Sequence, residues 1–84
     1  MVVGSRRVAK LKETMRDAWG LSDEHESDLT KHARELARRV DAGLPVIGVR
    51  KYLCEIEVSA FRLPASTLSV QLADRVFEVI KGRA

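Results

Sequence analysis

One segment constrains this chain more than any other. Between positions 29 and 40, Leu29, Ala33, Leu36, Ala37 and Val40 recur at intervals of one, three and four residues, the spacing of one helix face. Every residue between them is polar. Asp23, Glu24, Glu26 and Asp28 crowd the start of the segment, and Lys31, Arg34, Arg38 and Arg39 fill its second half. That order complements the helix macrodipole. Gly43 follows where a left-handed C-terminal cap is expected. The pattern predicts a helix over residues 22–42, capped by Ser22 or Asp23. A helix with a single apolar stripe must bury that stripe against other elements, so the rest of the chain has to supply partners for it.

Three further helical patterns do so. Val8, Leu11, Met15 and Trp19 form one stripe over residues 5–19, with Ser5 as the expected N-cap and Gly20 as the stop. Residues 45–61 begin at Pro45, which suits a first helical turn. This segment is apolar on two sides: Val49, Leu53, Ile56, Ala60 and Leu63 on one, Ile47, Cys54, Val58 and Phe61 on the other. A helix of that kind is expected to be central, so the third helix is read as the most buried. The alternation at Glu55-Ile56-Glu57-Val58 leaves a competing reading, a short strand over residues 58–63. Pro64-Ala65-Ser66-Thr67 is a break with N-cap chemistry. A last helix follows to about Lys81, with Leu68, Leu72, Val76 and Ile80 on its inner face and Gly82 at its end.

The chain has 84 residues, enough for one domain. It is 45% hydrophobic and 32% charged, which is a globular rather than a disordered balance. The expected fold class is therefore all-α: a compact single domain of four helices spanning residues 1–84, with residues 1–4 as a possible frayed tail. One cysteine excludes an internal disulfide framework and leads to the expectation of a cytoplasmic protein. No apolar run approaches the length of a membrane span, and Met1-Val2-Val3 precedes the arginines in the wrong order for a secretory signal.

Catalytic constellations are weak. His25 and His32 are seven apart, whereas helix residues sharing a metal more often sit three or four apart; a solvated helix face is the expectation for both. Asp28 and His32 have i, i+4 spacing but make an incomplete metal site. Cys54 lies on an apolar stripe and is read as a small core hydrophobe. Glu55 and Glu57 point to different sides of a helix, which disfavours paired acid–base work. With no phosphate-cradling glycine loop, the chain is read as non-enzymatic, without cofactor or metal.

Charge is more informative. The formal net charge is +3, and the excess is concentrated in residues 1–20, which carry five basic and two acidic side chains. Arg6, Arg7 and Lys10 in the first helix, with Arg34, Arg38 and Arg39 in the second, are the candidate nucleic-acid-binding residues, because helical rows of Arg and Lys can hold successive phosphates. Neither placement of a helix-turn-helix puts small residues where that motif wants them, so backbone contacts are expected rather than base readout. DNA is expected ahead of RNA, with the chain as a homo-oligomer. The alternative is a protein-interaction or inhibitory module of the small phage-regulator type, using an exposed apolar patch of Met15 and Trp19. Trp19 is otherwise a core residue ending the first stripe.

Leu29 to Asp41 reads LTKHARELARRVD, followed by Tyr52-Leu53 and then Phe61-Arg62-Leu63-Pro64-Ala65-Ser66. Over about half the chain this pattern resembles the small terminase subunits of actinobacterial phages. Those proteins have an Ala/Arg-rich helix, a shorter helix with a Tyr-Leu pair, and a Leu-x-Pro-Ala break. The resemblance implies a helical, ring-forming, DNA-binding packaging factor without an ATPase of its own. The matched positions are mainly helix-packing ones, so no functional residue transfers.

Overall fold

The structure is a computed structural model that describes the backbone of residues 3–63 and 68–82 and the side chains of residues 6–63 and 70–82. Its order is α1 (Val3–Trp19), a single 3-10 turn (Asp23–His25), α2 (Glu26–Asp41), α3 (Val46–Ser59) and α4 (Leu68–Ile80). Among the described residues there is no strand, so the expected all-α fold of four helices holds. The strand reading of residues 58–63 does not: α3 continues through Ser59, and residues 60–63 form a turn. Helix α1 begins at Val3, which places Ser5 inside the helix rather than at its N-cap. The break at 64–67 lies outside the described residues.

Helix α1 packs on both α2 and α4, and α4 packs on α3. The core comes from all four: Leu11, Met15 and Trp19 from α1; Leu29, Leu36 and Val40 from α2; Val49 and Leu53 from α3; Leu72, Val76 and Ile80 from α4. The whole of the predicted α2 stripe is buried. The helix ends in a Schellman turn. Gly43 has φ of 113°, its N–H bonds the Val40 carbonyl, and the Leu44 N–H bonds the Arg39 carbonyl at 2.9 Å. A residue with a Cβ is strained in that conformation. Gly48, inside α3, has a different reason. A Cβ there would lie 2.3 Å from the Leu44 side chain, so a larger residue would require that side chain to turn away.

The expectation that α3 is the most buried element is overturned. Its inner side, Val49, Leu53, Ile56 and Glu57, is buried. Its second apolar side is not: Ile47 is 56% exposed, Val58 is 50% exposed, and Cys54 is exposed rather than in the core. Only Phe61, beyond the end of the helix, is buried from that set. The reason is thickness. The molecule measures 34 × 27 × 19 Å, and its short axis is about two helix diameters. In a two-layer packing, each helix keeps one face toward solvent.

Glu57 is the one buried charged side chain among the described residues, at 2% exposure. Trp19 Nε1 donates to its Oε2 at 3.1 Å, across the α1–α3 divide. Glu55, two residues earlier, is exposed, so the two glutamates do point to different sides. Helix α3 closes with Arg62 at φ 55°, a left-handed position without glycine, and with the Leu63 N–H bonded to the Glu57 carbonyl at 2.8 Å.

Candidate nucleic-acid interface

The amphipathic pattern of α2 turns Leu29, Ala33, Leu36, Ala37 and Val40 inward and so leaves Lys31, Arg34 and Arg38 exposed. These three are spaced i, i+3 and i+7 and lie along one face of the helix. Together with Ser27, Thr30 and Glu35 they line a shallow depression. Neither Lys31 nor Arg34 makes a hydrogen bond or ion pair with another described residue. From position 31 to 38 the helix rises about 10 Å, comparable to the rise of three nucleotides along one strand of B-DNA.

Among the described residues, Glu35 is the only carboxylate that lines that depression. Arg38 donates to both of its oxygens and Arg39 Nε donates to Oε2 at 2.7 Å. The hydrogen bonds from Arg38 and then Arg39 hold the Glu35 carboxyl at about 2, well below its ordinary range. Glu35 therefore stays ionised and keeps the two guanidiniums oriented. Arg38 remains 68% exposed in its side chain. Arg39 is turned the other way, its guanidinium 4.9 Å from the centre of the Tyr52 ring on α3.

The basic residues of α1 have other occupations. Arg7 forms a two-pronged pair with Asp41, at 2.7 and 3.2 Å, and also donates to the Ile80 carbonyl at 3.2 Å. It neutralises an acid at the C-terminus of α2, where the macrodipole disfavours one, and answers the exposed carbonyl end of α4. Lys12 and Arg16 both pair with Glu26, whose carboxyl is held below its ordinary value chiefly by the hydrogen bond from Lys12. Lys10 lines a groove between α1 and α4 that also contains Glu13, Asp17, Asp74, Arg75 and Glu78. Four carboxylates make that groove a poor place for phosphate. Arg6 is exposed near the start of α1.

The six predicted phosphate-binding residues are thus not one surface. Arg34 and Arg38 share a face, Lys31 joins them, Arg39 stands beside them but engaged, and Arg7 is a structural tie. The alternative site fails on burial: Met15 is fully buried and Trp19 is 8% exposed, so neither presents a patch to a partner. Both lie on the inward stripe of α1, and the indole N–H is satisfied inside by Glu57.

The histidines are not on a solvated face either. Both are half-buried. Phe61 stands within 5.4 Å of the Trp19 ring centre, 5.6 Å of His25 and 5.9 Å of His32. His32 Nδ1 and the Tyr52 hydroxyl share a hydrogen bond of 2.8 Å. Burial, then Lys31, lowers the His32 pKa from its ordinary 6.5, and burial raises that of Tyr52. Sequence spacing missed this ring cluster. The one available signal was that positions 25 and 32 share a helix side. Among the described residues no group of His, Cys, Asp and Glu is arranged to hold a metal ion, and no helix is long and apolar enough to cross a membrane. No protein-family model, curated protein or solved structure matches the chain.

Proposed function

We propose that this chain is a non-enzymatic helical module that associates with nucleic acid, DNA ahead of RNA, through phosphate contacts from the outer face of α2. The observation that carries the reading is the row of Lys31, Arg34 and Arg38, exposed on one straight face, with the first two lacking any acidic partner among the described residues. Arginine offers two parallel donors to a phosphate, and a rigid helix fixes their spacing. Contacts to phosphates carry no base information, so the contact is independent of sequence. The resemblance to phage small terminase subunits agrees with a DNA-packaging or regulatory role. A homo-oligomer would multiply a contact that three side chains alone make weak.

The test is fluorescence anisotropy with a short labelled DNA duplex across a salt series. Three phosphate contacts give a slope of log K against log salt of about −2.7 per subunit on B-DNA. The triple change Lys31→Gln, Arg34→Gln and Arg38→Gln should flatten that slope and reduce affinity at 50 mM salt by more than about tenfold. A chain that ignores duplex at low salt, or a triple variant that binds as well as the parent, ends the reading.

A further inference from the structure

The outer face of α3 carries a second pattern, independent of the basic row. Ile47 and Val58 are about half exposed, and Lys51 and Cys54 between them are exposed. Positions 47, 51, 54 and 58 are separated by four, three and four residues. Alternating steps of four and three are the seam spacing of two helices packed side by side. With Val70, Ile47 and Val58 are the large hydrophobic side chains that stand exposed among the described residues.

The spacing also reads the same in both directions. Two copies of α3 laid antiparallel about a two-fold axis therefore superimpose the stripe on itself. Ile47 of each copy meets Val58 of the other. Lys51 lies beside Cys54 of the other, with its aliphatic stem along the seam and its ammonium at the edge. One turn on, Glu55 flanks the seam on the same side as Lys51. Neither Lys51 nor Glu55 makes an ion pair with a described residue of its own chain. In the antiparallel pair Lys51 of each copy faces Glu55 of the other, and the two-fold axis makes that contact twice. An unrelated partner would not require a stripe that reads alike in both directions.

We infer that α3 is a self-association surface, pairing with α3 of a second copy in antiparallel fashion through Ile47, Lys51, Cys54 and Val58, with reciprocal Lys51–Glu55 ion pairs at its edge. The face is small, so the dimer is a weak one, with a dissociation constant on the order of tens of micromolar.

Sedimentation equilibrium of the full chain, without nucleic acid, tests this independently of α2. Between about 1 and 300 μM the parent should pass from monomer to dimer. Ile47→Asp should remain monomeric throughout, with unchanged helicity by circular dichroism. Lys51→Glu alone and Glu55→Lys alone should each weaken the dimer about tenfold, and the double exchange should restore it. A parent that stays monomeric at 300 μM, a dimer indifferent to Ile47→Asp, a double exchange that fails to recover pairing, or a larger ring in place of a dimer would each overturn the proposal.

Discussion

Helices α2 and α3 have similar lengths, 16 and 14 residues, and both carry enough apolar residues to be core elements. They solve different problems. In α2 the apolar residues occupy one stripe, and every one of them is buried; the opposite face is charged, and its position in the fold follows from its pattern. In α3 apolar residues occupy two sides, and only one side found a partner. The difference teaches that apolar character licenses burial without assigning it. An unambiguous stripe has one way to dock. A two-sided helix docks on whichever side its neighbours reach, and here α4 reaches the side of Val49, Leu53 and Ile56.

The strongest way to break this comparison is truncation on the two sides of α3. Leu53 is fully buried, and Leu53→Ala should cost about 3 kcal/mol by urea denaturation; Leu36→Ala in α2 should cost about the same. Ile47→Ser and Val58→Ser, measured at low micromolar concentration, should each stay within about 0.5 kcal/mol of the parent. Outer substitutions as costly as the inner one would mean that α3 is buried on both sides after all.

The next effect concerns the polar contact that α3 makes inside the core. Trp19→Phe removes a buried hydrogen bond to a charged acceptor, Glu57, at a cost of about 2 kcal/mol. Glu57→Gln keeps an acceptor for the indole and should cost less. The same stability for Trp19→Phe as for the parent would show that the Trp19–Glu57 bond holds nothing in place.

Smaller again is the end of α3. Gly43 supplies the left-handed residue that closes α2, whereas Arg62 does so after α3 at φ 55°, a conformation that costs an L side chain roughly 1 kcal/mol. Arg62→Gly should raise stability by about 0.5 kcal/mol once the greater freedom of glycine in the unfolded chain is counted. Arg62→Ala should not, and equal effects of the two would assign the gain to loss of the arginine instead.

The shallowest effect is in pH. His32 on α2 has a folded pKa below its ordinary 6.5, through burial first and Lys31 second, against the smaller opposing pull of Asp28 and Glu35. Folding therefore favours the neutral ring. Its contribution is complete above about 6.5 and is lost as pH falls through the lower folded value. Glu26 and Glu35 are shifted the same way, from 4.5, so their contributions decline only below about 4.5. Melting temperature should fall gently from pH 7 to 5 and further below pH 4.5. In His32→Asn the upper phase should vanish, and its persistence there would assign it to another group.

Much of the architecture was written in local pattern. The α2 stripe and Gly43 cap, the α1 stripe through Trp19 and the inner face of α3 follow from periodicity, because a helix repeats every 3.6 residues whatever surrounds it. The basic row of Lys31, Arg34 and Arg38 was legible for the same reason, as the complement of that stripe. Contacts between distant residues were not. Arg7 looks like a free cation until Asp41, 34 positions away, is seen to hold it. His25 and His32 look solvated until Phe61 arrives beside them. Cys54, Ile47 and Val58 look like core until the short axis proves only two helices thick. The amino-acid sequence by itself determined which segments are helices and which face of α2 is charged, since both are properties of a chain and its nearest turns. Only the tertiary structure decided which cations remain available and which apolar stripe is left exposed, because burial and ion pairing depend on what another helix brings within a few ångströms.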